Sequence, residues 1–205
     1  LDLRIQSTKK ELKIKLFLAF FCLSALIASV LSYTLFFHMR VNHLDTLKRD
    51  MAIITGLAAA QAETKFAGIS APEQQAWEEW LREIARRSDE FSRAYILQRK
   101  ENSGKYELYA QSGPGGSQKL LADDLQDSRY VALLEKALAE VQVTGGLDTD
   151  LTIPITAYAP IHEGKRDQVF LLGIEVNPVK VAQDIWHFAE RILFVTLGAI
   201  LVVAL

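Results

Sequence analysis

The sequence contains a single cysteine, Cys22, which lies in an uncharged apolar run. A lone cysteine cannot form a disulfide within the chain, and a thiolate metal site would need partner residues that the sequence lacks. The signature motifs of zinc proteases, c-type haem proteins, serine hydrolases and protein kinases are also missing. We therefore predict no catalytic site, metal or cofactor in these residues, and whether a longer protein carries a cyclase or kinase domain stays open.

Residues that often bind metals or phosphates are present, but their spacing does not favour such sites. His38 and His43 are five residues apart, do not share a helix face well, and are interpreted as interfacial. The acidic clusters at 123–124 and 148–150 lack EF-hand spacing, which is typical of solvated loops. The glycines of residues 112–117 lack the lysine and hydroxyl of a phosphate-binding loop and predict an ordinary turn region.

Two long apolar runs account for much of the 50% hydrophobic content. Residues 16–37 carry no charge, and a helix of this length crosses a hydrocarbon core of about 30 Å. A cleaved signal peptide is the alternative, but its apolar core is shorter and small residues follow it, whereas bulky residues follow here. Residues 189–205 include the uncharged run 192–205, which is too short to span a membrane, so we expect a truncated second transmembrane helix.

Charge predicts the orientation of these two helices. Residues 1–15 hold five basic and two acidic residues, a net of +3, whereas residues 38–191 hold 18 basic and 23 acidic residues, a net of −5. Short basic flanks stay in the cytoplasm. We therefore predict a two-pass protein of the inner membrane with a cytoplasmic tail at 1–15 and a periplasmic or extracellular domain at 38–188.

One long helix is predicted over residues 38–67, because no turn signal precedes Gly68. Four apolar residues of this helix alternate at spacings of three and four, namely Leu44, Leu47, Met51 and Ile54. Such spacing is typical of the seam of a coiled coil and indicates a homodimer formed through this helix. A stripe packed on its own domain has the same spacing, so the pattern alone leaves both interpretations open.

The rest of the outer domain alternates between helical and strand patterns. Helices are predicted from Ser70, over residues 127–140 and from Val179; strands are predicted over 94–97, 105–110, 151–162 and 168–176. The last strand is nearly continuously apolar, as expected for a central strand that is covered on both faces. This order predicts an α+β fold in which helices flank an antiparallel sheet.

The last two predicted strands resemble a known family. Residues 158–161 (Tyr-Ala-Pro-Ile), a polar loop at 163–167 and residues 172–175 (Leu-Gly-Ile-Glu) look like the closing hairpin of extracytoplasmic Cache domains, also called PDC domains. The resemblance covers roughly residues 40–190. It implies a single PAS-like module between two transmembrane helices, with a long N-terminal helix that emerges from the membrane. It further implies a small ligand bound on the sheet, often by a dimer.

A small-molecule pocket needs an apolar wall and a few convergent polar groups. The candidate residues are aromatic residues and charged residues near strand ends: Trp77, Trp80, Arg93, Tyr95, Tyr109, Asp148 and Tyr158. Trp77 and Trp80 are predicted to cover the sheet, and Arg93 with Asp148 or Asp150 would suit an amino or carboxylate ligand. For each aromatic residue, the sequence favours a place in the core over a contact with a ligand.

The sequence thus predicts the sensor region of a bacterial membrane receptor. A ligand outside would displace the second transmembrane helix and so act on an output domain, which would be a diguanylate or nucleotide cyclase, a histidine kinase or a chemoreceptor module. The alternative is a bitopic scaffold subunit whose outer domain binds a protein partner, which a large exposed apolar patch would favour. An extracytoplasmic enzyme is disfavoured, and no nucleic-acid partner is expected at a net charge of −2.

Overall fold

A computed structural model describes residues 2–67, 74–100, 105–113, 128–144, 155–162 and 169–204. The chain forms two compact units: residues 1–43 with 183–205, and residues 44–182. The predicted helix start at Ser70, the candidate residue Asp148 and the predicted loop at 163–167 lie outside the described residues.

The first helix, α1, runs without a break over Asp2–Phe66 and has 65 residues. Its sequence contains no proline and only one glycine, Gly56, so neither of the two common helix breakers ends it early. The prediction of a long N-terminal helix is confirmed. The last helix, α4, spans Pro178–Ala204. Within the described residues these two helices are long and apolar enough to cross a membrane.

In the first unit, α1 and α4 are joined by a hydroxyl pair. The Thr196 hydroxyl donates to the carbonyl oxygen of Ile192 at 2.8 Å, and its oxygen is also hydrogen-bonded to the Ser32 hydroxyl. Because the Thr196 proton is already used, Ser32 is the donor of the second bond. The ring of His43 also contacts the edge of Phe188, with a centroid distance of 5.9 Å.

The second unit contains a five-stranded antiparallel sheet. The strands are β1 (Phe91–Arg99), β2 (Tyr106–Gln111), β3 (Gln142–Thr144), β4 (Thr156–His162) and β5 (Val169–Val176), in the order β2-β1-β5-β4-β3. The strand predicted over 168–176 is central, as its apolar run indicates. The α+β, PAS-like arrangement of an antiparallel sheet flanked by helices is therefore confirmed. Strand β3 is an addition, since three half-buried residues give no sequence pattern.

Two further helices flank the sheet: α2 (Gln74–Arg86) and α3 (Ser128–Ala137). Side chains alternate between the faces of a sheet, so residues 170 and 172 of β5 point to one face and residues 171 and 173 to the other. On the first face, here the tryptophan face, Trp77 of α2 packs against Phe170, and Phe66 of α1 stacks on Trp77 at 3.9 Å between centroids. On the second, the tyrosine face, Leu134 and Ala137 of α3 join the core.

Candidate functional site

A row of three residues crosses the middle of the tyrosine face. Tyr95 of β1 and Tyr158 of β4 are both paired with Gly173 of β5, which lies between them. Both rings lean over the glycine. A Cβ atom at position 173 would lie 2.6 Å from Cε2 of Tyr95 and 3.0 Å from Cε1 of Tyr158. Gly173 is therefore required so that the two rings can meet above the central strand.

The hydroxyl groups of three tyrosines meet above this row. The hydroxyls of Tyr95 and Tyr158 are 2.6 Å apart, and Tyr130 of α3 is hydrogen-bonded to the same Tyr158 hydroxyl. Tyr95 and Tyr158 are only 1% and 0% exposed. A hydroxyl can donate one hydrogen bond and accept two, so Tyr158 can serve both neighbours at once. We call Tyr95, Tyr130 and Tyr158 the tyrosine cluster.

A partly buried ion pair lies two residues away from the tyrosine row along β1 and β5, on the same face. Nε of Arg93 is 2.6 Å from Oε2 of Glu175, and the two side chains are 16% and 12% exposed. The Ser92 hydroxyl donates to the other carboxylate oxygen of Glu175 at 3.1 Å. The guanidinium of Arg93 also lies 5.1 Å from the ring centre of Tyr95, within the range of a cation–π contact. The ion pair and the tyrosine cluster are thus one connected group.

The electrostatics of the group follow from its burial. Burial raises the pKa of Tyr95 and Tyr158 well above the usual value of 10.0, because a phenolate there would lose its hydration. Burial alone would lower the pKa of Arg93, but the attraction of Glu175 and its hydrogen bond raise that pKa overall. At neutral pH the site therefore holds neutral hydroxyls next to a charged pair.

The group contains both hydrogen-bonding and charged side chains. It combines three tyrosine hydroxyl groups, which donate and accept, with one cation and one anion. Over the described part of the chain, no group of three or more histidine, cysteine, aspartate or glutamate residues could hold a metal ion.

The predicted site residues fall in different places. Arg93, Tyr95 and Tyr158 come together on the tyrosine face, as described above. Trp77, Trp80 and Tyr109 lie on the tryptophan face, where Tyr109 packs on Phe170 at 5.3 Å between centroids. Arg93 is paired with Glu175; its predicted partners, Asp148 and Asp150, lie outside the described residues.

The four residues of the predicted dimer seam differ in how far their side chains are exposed. Leu44 and Met51 are buried within the second unit, each 1% exposed, and Leu47 is half-buried. Ile54 is 40% exposed. Leu44 and Met51 therefore belong to the core of their own domain.

Three residues of the group are absent from the sequence-based prediction: Tyr130, Gly173 and Glu175. Gly173 and Glu175 belong to the hairpin phrase at 172–175, which was noted only as a resemblance. The register of β1 against β5 was the missing information, since it places Glu175 opposite Arg93. Nothing in the sequence marks Tyr130 as a site residue, because the amphipathic pattern of its helix is independent of the site.

We expect the second unit to lose stability above about pH 10, near the pKa of tyrosine in an unfolded chain. The raised pKa values mean that the folded state keeps protons on Tyr95 and Tyr158 that the unfolded state releases. Stability therefore falls as pH rises, by up to about 1.4 kcal/mol per pH unit for each tyrosine. Urea unfolding at several pH values between roughly 8 and 11 measures how the free energy of unfolding changes with pH.

The matched variant for this experiment is Tyr158→Phe, which removes one of the two groups. Its unfolding free energy should fall less steeply with pH than that of the wild type. Tyrosinate absorbance should show that Tyr95 ionises only when the protein unfolds. Ionisation of all tyrosines near pH 10 in the folded protein would contradict the burial argument.

The fold belongs to the class of α+β domains in which helices flank a five-stranded antiparallel sheet. No protein-family model and no curated protein matches this chain. Two crystal structures from Campylobacter jejuni are similar to it: the sensory domain of the chemoreceptor Tlp3 (CcmL) with isoleucine bound, at 12% identity, and the ligand-binding domain of Tlp3 in complex with L-valine, at 13% identity. Each has a TM-score of 0.36 and covers 71% of this chain. The chain spans 65% and 66% of their lengths, which is less than two thirds.

Proposed function

We propose that this chain is the sensor region of a two-pass receptor in the inner membrane of a bacterium. In this proposal the N-terminus is cytoplasmic, residues 38–188 lie outside, and α4 carries the signal back through the membrane. A small molecule binds on the tyrosine face and changes the position of α4. The output domain would follow this chain in the longer protein.

The observation that carries the proposal is the direct connection from the site to an apolar helix. Strand β5 holds Gly173 and Glu175 and ends at Val176. Asn177 follows, and its side-chain oxygen accepts a hydrogen bond from the backbone nitrogen of Val179 at 3.0 Å, so that it caps α4. Pro178 fits the first position of a helix. No loop intervenes, so a movement of β5 is passed to α4 through one capping residue.

The chemistry of the site supports a ligand with a charged head group. A carboxylate would compete with Glu175 for Arg93, and an amino group would compete with Arg93 for Glu175. In either case the ligand rearranges the ion pair that joins β1 to β5. A conformational response requires that the ligand binds one arrangement more tightly than the other, and rearrangement of this partly buried pair would supply that difference.

A thermal-shift screen of the isolated segment 40–188 tests the proposal. The panel contains amino acids, organic acids, purines, polyamines and divalent metals. A ligand at 100 times its dissociation constant should stabilise the fold by about 2.7 kcal/mol. We expect a saturable shift with a small carboxylate or amine, and loss of that shift in Arg93→Ala. A ligand response that persists in Arg93→Ala would exclude the tyrosine face as the binding site.

One observation favours the second candidate, a scaffold subunit that binds a protein partner. Three apolar residues of α1 are exposed in the second unit: Ile53, Ile54 and Leu57, the last at 67%. Ile54 and Leu57 border a groove of about 320 Å³ beside Ile84 and Phe91. Of the predicted dimer seam, Ile54 lies on this surface, which could also bind a second copy of the chain. The screen separates the two functions, since a scaffold has no saturable small-molecule ligand.

A further inference from the structure

The membrane-side half of α1 carries a groove that the sensor proposal does not use. It has a volume of about 340 Å³ and is lined by Lys13, Leu16, Phe17, Phe20 and Phe21. All five residues belong to α1 in the first unit, and Leu16, Phe17 and Phe20 are more than half exposed. The groove therefore joins one cation to an apolar floor that is rich in aromatic rings.

The order of these residues along the helix matches a phospholipid. At 1.5 Å per residue, Phe17 lies about 6 Å and Phe21 about 12 Å farther along the axis than Lys13. The uncharged run begins just after Lys15, at Leu16, so Lys13 is placed at the level of the head groups and the rings are at the level of the acyl chains. A free anion would use only the lysine and leave the aromatic floor uncovered.

We propose that this groove binds an anionic phospholipid, with the phosphate on Lys13 and one acyl chain along Phe17, Phe20 and Phe21. The inference rests on the proposed membrane position of α1.

The test uses the whole 205-residue chain in nanodiscs that contain phosphatidylglycerol and phosphatidylcholine. Native mass spectrometry measures which lipid remains bound after release from the disc. We expect phosphatidylglycerol to be enriched among the bound lipids. Lys13→Gln should lower the enrichment by more than the roughly fivefold that one lysine at a charged membrane surface contributes without a specific site.

The matched control is Lys15→Gln, whose position is about 200° away around the helix. Unspecific attraction to the surface would make both variants lose enrichment equally, and that result would overturn the inference. A second pair tests the floor: Phe20→Ala should shorten lipid retention, whereas Leu18→Ala, which does not line the groove, should not. Equal lipid retention in Phe20→Ala and Leu18→Ala would also contradict the proposed lipid site.

Protease protection of the chain in the same nanodiscs separates the two proposals. A chain that is not inserted would refute the membrane position and with it the proposed function. A chain that is inserted but shows no preference for phosphatidylglycerol would overturn the lipid site alone.

Discussion

Replacing Gly173 by alanine should lower the free energy of unfolding of the second unit by about 3 kcal/mol. The new Cβ would lie 2.6 Å and 2.7 Å from Cε2 and Cζ of Tyr95, far inside normal contact distance. Tyr95 has no space to move, because it is fully buried and its hydroxyl is bonded to Tyr158. Either the ring shifts and the hydrogen bonds are lost, or strand β5 is displaced. Urea unfolding measures the loss, which corresponds to a melting temperature lower by about 10 °C.

The matched control is the same substitution at Gly56, a glycine inside α1. A Cβ there would meet Cγ2 of Val141 at 3.4 Å, an ordinary contact. Since alanine is favoured over glycine inside a helix, Gly56→Ala should be neutral or stabilising by up to about 1 kcal/mol. A Tyr95→Leu substitution added to Gly173→Ala should recover part of the loss, because it removes the ring that the Cβ meets. Full stability of Gly173→Ala alone would show that the rings are free to move.

Periodicity and turn residues were sufficient to predict most elements of this fold. The apolar run of β5 indicated a central strand, and the uninterrupted helical sequence before Gly68 indicated the long α1. Both elements are observed. Strand β3 could not be predicted, because Gln142, Val143 and Thr144 form strand only through their pairing with β4. Local patterns do not contain such edge pairings.

The candidate site was predictable only in part, for a related reason. Residue type identified Arg93, Tyr95 and Tyr158 as candidates, and register brings them together with Gly173 and Glu175. By residue type, Trp77 and Trp80 were equally good candidates. Their helix, α2, packs on the other face of the sheet, and a single sequence does not determine which face a helix covers. A shift of one residue in strand register would have exchanged the two faces.

The second large effect is expected for Arg93→Ala, which should cost about 3 kcal/mol of folding stability. The substitution leaves the carboxylate of Glu175, which is 12% exposed in the wild type, without its cation and with the Ser92 hydroxyl as the partner described above. It also removes the contact between the guanidinium and the Tyr95 ring. Chemical unfolding of the isolated segment 40–188 at neutral pH measures the loss. As a control, Arg87→Ala breaks the exposed pair with Glu83 and should cost at most about 0.5 kcal/mol.

A double variant separates two free-energy terms: the destabilisation caused by a lone, partly buried charge, and the net contribution of the ion pair to stability. Arg93→Met with Glu175→Leu removes both charges together, and such replacements are often neutral within about 1 kcal/mol. The losses of unfolding free energy in the two single variants should therefore not add up in the double variant. A stable double variant would show that the pair contributes more to the chemistry of the site than to stability. A double variant that is stable but no longer responds to ligand would support a pair kept for binding. Additive losses would instead mean that Arg93 and Glu175 stabilise the sheet independently, and the pair could not then act as the element that a ligand rearranges.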